Sequence, residues 1–459
     1  MQMRKIAVQQ IARYGGFIST GIPLQSAGTM LLGTDDWEYS GRELSTMKYN
    51  CIVLGAGMVG VSTALHLQQR GRNVALVDRR PAAEETSYGN AGLIQCEGVV
   101  PYSFPRSLRK IFNSALNRTT DAHLHYSALP KLAPWLYKYW RHGTKEKVAQ
   151  TSRGALPLIN NCLAEHEALM REAGIEGMLR RTGYLRVYRT QEGFDADVAT
   201  MKEEHSLYGV NFEALTTTRL KELEPHLSGP FAGAVHLTDP ASVADPSAVG
   251  KAYAELFTSR GGSFLTGDAD TLEAIDGGWQ VQNVNGPITA RDCVIALGPW
   301  SGELLARMGM PVPLASKRGY HMHYGAKGNA TLGRPVLDTD YGFVLAPMSK
   351  GIRLTTGAEF ALRDAPSTPR QLEQTEPVGK EIFPLAERVD QKPWLGRRPC
   401  LPDMLAMIGG VPGKPGLWAN FGHHHLGFTL GPVTGRLIAE MITQQPTFCD
   451  IHPYRVDRF

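Results

Sequence analysis

Tyr49-Asn50-Cys51-Ile52-Val53-Leu54-Gly55-Ala56-Gly57-Met58-Val59-Gly60 is a short apolar run that breaks into a glycine-rich turn. An apolar stretch of this length bounded by glycine predicts a strand buried on both faces, as in a parallel sheet. From 59 to about 69 the apolar residues recur at helical spacing, Gly71 stops the pattern, and 73–77 predicts a second strand ending on Asp78. Strand, turn, helix and strand make one βαβ unit. Its three glycines have separate duties: Gly55 permits the tight turn, Gly57 lets the backbone approach a pyrophosphate, and Gly60 lets helix and strand pack closely. Ala56, Met58 and Val59 occupy the turn and the helix start, where free N–H groups and the positive end of the helix dipole favour an anion. Asp78 stands 18 residues past Gly60, where a carboxylate accepts hydrogen bonds from ribose hydroxyls. The combination predicts a dinucleotide site, against the plainer reading of a glycine-rich turn with no ligand. It does not choose between NAD and FAD, and Arg79-Arg80 beside Asp78 would also suit a 2′-phosphate.

With 459 residues the chain is too long for one simple core and suits two domains, or an α/β domain with a lobe grown from it. Hydrophobic residues make up 42% and charged ones 20%, which fits a globular enzyme and excludes a disordered or coiled-coil protein. Net charge is only +4, and no dense Lys/Arg run interleaved with aromatics stands out, so no nucleic-acid partner is predicted. The six cysteines, Cys51, Cys96, Cys162, Cys293, Cys400 and Cys449, lack C-x-x-C spacing. They predict buried thiols in a reducing compartment rather than zinc or disulfides. No uninterrupted apolar run approaches the roughly 18 residues of a membrane helix, so a cytoplasmic protein, soluble or peripheral to the inner membrane, is expected. Residues 1–46 hold no acid before Asp35 and carry Gln9, Gln10 and Arg13 where a secretory signal needs a continuous apolar core. They read as a transit peptide or, preferably, as the product of a start codon placed too early, since Met47 directly precedes the first strand. A dispensable extension is expected.

Downstream, 126 to about 173 predicts helix, 182–189 a strand, and 246 to about 259 another helix. Turn signals at Gly277-Gly278 and Asn285-Gly286 separate short strands, and 293–298 predicts a buried strand ending at a glycine. Between 312 and 358 the pattern is short alternating strands such as His321-Met322-His323-Tyr324, suited to an antiparallel sheet. A strand at 417–420 and a helix around 433–443 close the chain. The predicted fold is α/β: a Rossmann-type nucleotide-binding domain from 47–105, 238–305 and 395–459, interleaved with a substrate domain of antiparallel sheet and helices from 106–237 and 306–394.

The stretch Glu85-Thr86-Ser87-Tyr88-Gly89-Asn90-Ala91-Gly92-Leu93-Ile94 resembles the loop that approaches the flavin in the D-amino acid oxidase superfamily, and in particular in the bacterial D-amino acid dehydrogenases. Three more segments match in the same order. They are Ala296-Leu297-Gly298-Pro299-Trp300-Ser301, Gly396-Arg397-Arg398-Pro399 with Asp403 after it, and Asn420-Phe421-Gly422-His423-His424-His425-Leu426-Gly427-Phe428-Thr429. The resemblance runs from about Lys48 to the C-terminus and is thin between 101 and 285. It implies FAD as cofactor, held by the glycine-rich turn, Asp78 and Arg79, and by Ser87, Asn90, Ala91, Gly92, Gly298, Gly422, His423, Leu426, Gly427 and Thr429. Some relatives, the dimethylglycine dehydrogenases among them, attach flavin through a histidine at the position Asn90 occupies. Asparagine has no comparable nucleophile, so noncovalent FAD is expected. The last helix is expected to start soon after Gly427, with Pro432 in its first turn and its N-terminus toward the pyrimidine edge of the ring.

Arg398 matches the family arginine that pairs with the substrate carboxylate, a task for which a fork of donors is suited. Arg397 is expected to make an ordinary salt bridge. Tyr341 would add a hydroxyl to the same carboxylate, with Tyr320 and Tyr324 as competitors. His423, His424 and His425 invite a metal, but consecutive side chains diverge and no second ligand cluster supports them, so no metal site is predicted. The resemblance implies oxidation of a D-amino acid: the α-hydrogen leaves as hydride to flavin N5, the imine hydrolyses to a keto acid and ammonia, and no protein base is needed. Open alternatives are a secondary amino acid of the glycine, sarcosine or D-hydroxyproline kind, and a non-catalytic flavin-binding subunit of a larger complex. A flavin domain acting on tRNA is disfavoured by the absent basic face. The electron acceptor, quinone or O2, is left open.

Overall fold

In the computed structural model, which describes residues 48–459, the opening run forms the strand Tyr49–Leu54, fully buried from Cys51 onward. Parallel neighbours flank it on both edges, Val74–Asp78 on one and Gly286–Ile295 on the other. A strand so placed has two apolar faces to cover, which is why its sequence does not alternate. Beyond these neighbours Ser263–Ile275 and Leu417–Phe421 add in parallel, and Met407–Gly410 closes one edge antiparallel. Gly278–Asn283 links Ser263–Ile275 and Gly286–Ile295 as an antiparallel meander. The expected strand at 293–298 is the last third of Gly286–Ile295, and Gly298–Trp300 turns away from it. The extension at 1–46, expected to be dispensable, lies outside the described residues.

One face of this seven-stranded sheet, with Val53, Leu76 and Val294, packs against the helices Met58–Gln69, Lys145–Glu172, Pro246–Ser259 and Gly427–Ile442. The first and last of these touch backbone to backbone, since a Cβ on Gly435 would lie 2.7 Å from the carbonyl carbon of Ser62. The last helix differs from expectation. It starts at Gly427 itself, so Pro432 falls in its second turn and withholds the N–H that the Phe428 carbonyl would otherwise receive. Buried His166 replaces it, its Nε2 donating to Phe428 O at 2.8 Å. This keeps the helix running toward the cavity described below despite the proline.

A second, eleven-stranded sheet is organised by the long strand Ala315–Ala326. Gly351–Thr355, Ala358–Phe360, Leu385–Arg388 and Trp394–Cys400 all pair with it antiparallel. The sheet continues through Phe343–Met348 and Val336–Asp338 to Tyr184–Tyr188 and Gly233–Leu237. Trp394–Cys400, which carries Arg398, therefore hydrogen-bonds in the second sheet, although the sequence groups 395–459 with the first. His321-Met322-His323-Tyr324 does alternate, but none of the four is exposed. Met322 and Tyr324 pack with Leu372 and Ile382 of the helix Arg370–Ile382, while His321 stacks on Trp394 at 4.8 Å on the opposite face. That helix holds Pro377 and buries Gln371, Thr375 and Gly379 beside only two apolar residues, and Gln191–Tyr208 buries only Met201, so neither presents an apolar stripe that can be read from sequence. No helix among the described residues is long and apolar enough to cross a membrane.

Candidate active site

The strand Tyr49–Leu54 delivers its glycine-rich turn to one end of a cavity of about 1330 Å³, which Gly55, Gly57, Met58, Val59, Asp78 and Arg79 help to line. The turn is compressed by design. Gly55 adopts a φ of +103°, and a Cβ on Gly60 would stand 1.8 Å from the Gly55 carbonyl oxygen. Asp78 closes it, with Oδ2 accepting from Ala56 N at 2.7 Å and Oδ1 from Arg80 N at 3.0 Å. Each carboxylate oxygen has capacity for a further hydrogen bond, and Asp78 lines the cavity. Arg79 lies over the Trp300 ring at 5.9 Å, and Arg80 is engaged by Glu85 at 2.7 Å. Gly298, at φ +55°, lines the cavity beside Trp300.

The loop after Glu85 forms the next wall. Ser87, Asn90 and Ala91 line the cavity, the Ser87 hydroxyl oxygen accepting from Met58 N at 3.0 Å and Asn90 Oδ1 from Gly92 N at 2.8 Å. Gly92 lies behind, where a Cβ would meet the Val243 carbonyl oxygen at 2.2 Å. The loop is clamped from the second sheet by Arg353, which sequence reasoning missed. Its Nη1 donates to the carbonyls of Asn90 and Tyr88, and its Nε to His323 Nε2 at 3.0 Å. His323 in turn contacts Asp390 through Nδ1 at 2.5 Å. No local signal marks it, because an arginine in an alternating strand reads as a solvent-facing charge until the strand is known to be buried.

The third wall is the approach to the last helix. Gly422 takes φ +84° against Leu401, and Gly427 lines the cavity as the helix begins. Thr429 ties this helix to the chain that follows the Glu85 loop, its hydroxyl oxygen accepting from Gln95 N at 3.1 Å and its O–H donating to Leu93 O at 3.2 Å. Leu426 is buried and packs beside Gly98. The three histidines diverge. His423 Nε2 lies 3.0 Å from Thr434 Oγ1, whose own proton goes to Leu430 O, so the imidazole donates and is held in its Nε2–H form. Burial pushes its pKa down to about 3. His424 and His425 meet through their Nδ1 atoms at 3.0 Å, and the His425 ring packs on Tyr102 at 4.9 Å. Burial, with Arg398 and Lys317 nearby, lowers His425 to about 3. His423 is held by Thr434 and the other two by each other, so the three do not converge on a point. A different trio, His123, His125 and Glu359, has ligand atoms within 4.8 Å of one another. Glu359 is already paired with Arg318 at 2.6 Å and with His125 at 2.8 Å, which leaves it no charge to offer a cation.

Arg398 reaches the cavity from the second sheet. Two of its five N–H donors go to backbone carbonyls, Nη1 to Gly357 O at 2.8 Å and Nη2 to Thr356 O at 3.1 Å. Among the described residues no carboxylate lies within 4.0 Å of it, and burial lowers its pKa. Arg397 points elsewhere, donating to Arg363 O at 3.1 Å with Asp364 at 3.9 Å. Tyr341 is not brought to the cavity; its ring stacks under the Arg189 guanidinium at 4.8 Å. The Tyr320 ring lines the cavity, but its hydroxyl is occupied by Thr368 N at 2.8 Å and Glu359 Oε2 at 3.1 Å. Tyr324 packs in the core. Lys317, also unnoticed in the sequence, lines the cavity directly across the strand pair from Arg398.

One continuous cavity thus joins a backbone cradle that any Cβ would fill, a carboxylate at the end of the second strand, a helix N-terminus and a guanidinium with donors to spare. The cradle and acid fit the adenosine pyrophosphate half of FAD, and the loop at 87–91 with Gly427 fits its ring end. The family model of FAD dependent oxidoreductases matches residues 50–441. A D-amino acid dehydrogenase of Xylella fastidiosa is 30% identical over 428 residues, covering 89% of this chain and 94% of its own. A D-amino-acid oxidase of Bradyrhizobium diazoefficiens is 28% identical over 422 residues, covering 89% of this chain and 98% of its own. The crystal structure of glycine oxidase from Geobacillus kaustophilus superimposes with a TM-score of 0.68 at 23% identity, over 90% of this chain and 99% of that one. That of iminodiacetate oxidase from Chelativorans gives 0.67 at 20%, over 88% and 98%. The cradle, the cavity and these likenesses agree, and the chain belongs to the family of FAD dependent oxidoreductases.

Proposed function

We propose that this protein oxidises the C–N bond of a D-amino acid, releasing a keto acid and ammonia. The observation that carries the reading is Arg398, a half-buried cation with spare donors and no acid partner among the described residues, facing the cavity that begins at the glycine-rich turn. A substrate carboxylate supplies the missing anion, and a bidentate pair fixes the α-carbon. Bound FAD would supply the two-electron acceptor for the α-hydrogen. Around it a Rossmann-type first sheet with Asp78 holds the dinucleotide, the second sheet forms the substrate side, and Asn90 offers no nucleophile for a covalent link. His423 and His425, kept neutral by burial, add no charge to compete for the carboxylate. Tyr341 takes no part in this reading because its ring lies under Arg189. Reduction of an artificial electron acceptor by D-alanine, D-proline and sarcosine in turn tests it. Turnover of sarcosine alone would favour the secondary amino acid alternative, and a flavin that no amino acid reduces, D-aspartate and D-glutamate included, the non-catalytic one.

The location is proposed to be peripheral to a membrane on its cytoplasmic side. The helix Leu108–Ala115 buries none of its residues, and Leu108 (82% exposed), Phe112 (58%) and Leu116 (41%) recur every fourth residue along one face. Exposed Tyr137 and Trp140 follow nearby in sequence. Residues 106–147 hold nine Lys/Arg against two acids, Asp121 and Glu146. Apolar surface framed by basic charge suits an anionic bilayer.

A further inference from the structure

We propose that the substrate carries a second acid group and that Lys317 selects for it; this rests on the reading of Arg398 as the clamp for the first. Lys317 and Arg398 are Cα partners in the antiparallel pair of Ala315–Ala326 with Trp394–Cys400, so their side chains leave the sheet on one face. Like charges placed directly opposite destabilise a strand pair. Here they also face one cavity, and among the described residues neither has a carboxylate within 4.0 Å.

Lys317 is only 7% exposed. Its Nζ lies 3.9 Å from the centroid of the Tyr139 ring, 5.5 Å from Trp135 and 5.6 Å from Phe360. The rings attract the cation but accept no conventional hydrogen bond from its three N–H groups. Its one polar contact is the weak acceptor Met404 Sδ at 3.7 Å. Burial lowers its pKa to about 8. The neighbouring Arg318 shows how this strand treats a structural cation: it points to the other face and is paired with buried Glu359. An aliphatic side chain in the aromatic cage would avoid the desolvation cost that Lys317 incurs. The charge is therefore matched to something that enters the cavity. Cross-strand Cβ atoms lie about 5 Å apart, so one molecule that seats an α-carboxylate on Arg398 brings a second carboxylate, one or two methylenes further on, within reach of Lys317. The class is amino dicarboxylates, the rings packing on the methylenes between the two acids.

The test is ligand binding to the FAD-loaded enzyme, read from the flavin absorbance band and independent of turnover. Succinate and glutarate are expected to bind about tenfold or more tightly than propionate and butyrate. Lys317→Met should bring that ratio close to one, and Lys317→Arg should restore part of it. The proposal is overturned by equal affinities for the two acid classes in the unmodified enzyme, whatever the variants do. It is also overturned by a preference that survives Lys317→Met. Oxidation of D-alanine without any dicarboxylate preference would sink this proposal alone. A dicarboxylate preference in a protein that oxidises no amino acid would sink the proposed function and leave the subsite standing.

Discussion

Replacing Arg398 with leucine removes the guanidinium while keeping an apolar side chain of moderate volume in the wall of the cavity. Two consequences can be weighed separately. The carbonyls of Gly357 and Thr356 lose their donors, but both border a cavity that water enters, so the loss of folding free energy is expected to stay near 1 kcal/mol. The loss to a bound carboxylate is larger. Truncating one partner of a buried, hydrogen-bonded charge pair costs about 2 to 5 kcal/mol, and the hydrated cavity argues for the middle of that range. A cost of about 3 kcal/mol is a fall of roughly 150-fold in kcat/KM. The assay compares a D-amino acid with the matching amine that lacks the carboxylate, at equal flavin content. The amine never uses the clamp and should lose little. Equal losses for both substrates, or a variant purified without flavin, would refute the reasoning and make Arg398 a structural residue.

Gly60→Ala should yield protein depleted of flavin and lower in Tm, because the added methyl meets the Gly55 carbonyl oxygen at 1.8 Å and overpacking costs about 1 to 3 kcal/mol or more; full occupancy with an unchanged Tm would contradict it. His166→Phe should cost about 1 to 3 kcal/mol at neutral pH by leaving the Phe428 carbonyl without its donor. Burial lowers the His166 pKa from its ordinary 6.5 to about 4, so between those values the unfolded chain binds a proton that the folded one refuses. Wild-type stability from this group is therefore lost as pH falls, and the gap to the variant should narrow by up to about 1.4 kcal/mol per pH unit; a gap independent of pH would tell against a buried neutral imidazole. Acid precipitation should leave the yellow colour in the supernatant, whereas colour retained on the pellet would show a covalent flavin. Vesicles containing anionic lipid should sediment the protein at low salt and release it at high salt, with Leu108→Glu and Phe112→Glu weakening the association; no sedimentation with any vesicle would remove the membrane assignment.

The centre of the first sheet was legible because Tyr49–Leu54, Val74–Asp78, the end of Gly286–Ile295 and Leu417–Phe421 are buried on both faces and leave apolar runs, and because a glycine turn under such compression admits little besides glycine at Gly55 and Gly60. The helix Pro246–Ser259 was equally plain, with Pro246 in its first turn and Asp245 accepting from Ala248 N as its cap. The second sheet was legible only as a pattern. Its pairing of 315–326 with 394–400 joins residues nearly eighty positions apart, and nothing local sets that register. Lys317 escaped notice for this reason, since beside Arg318 it reads as one more solvated charge until the strand is known to be buried. Arg353 was hidden likewise, its acceptors lying in a loop more than 250 residues earlier. The basic surface at 106–147 was masked by a net charge of only +4, because an average over the whole chain erases a local surplus.

Anaerobic titration of the FAD-loaded enzyme with a panel of D-amino acids, followed at the flavin absorbance band, tests the central claim most directly. Bleaching by at least one D-amino acid, with its L-enantiomer and its decarboxylated amine far less effective, is the predicted result. A flavin that stays oxidised with every D-amino acid, or that is bleached equally well by the amine without its carboxylate, would contradict the account.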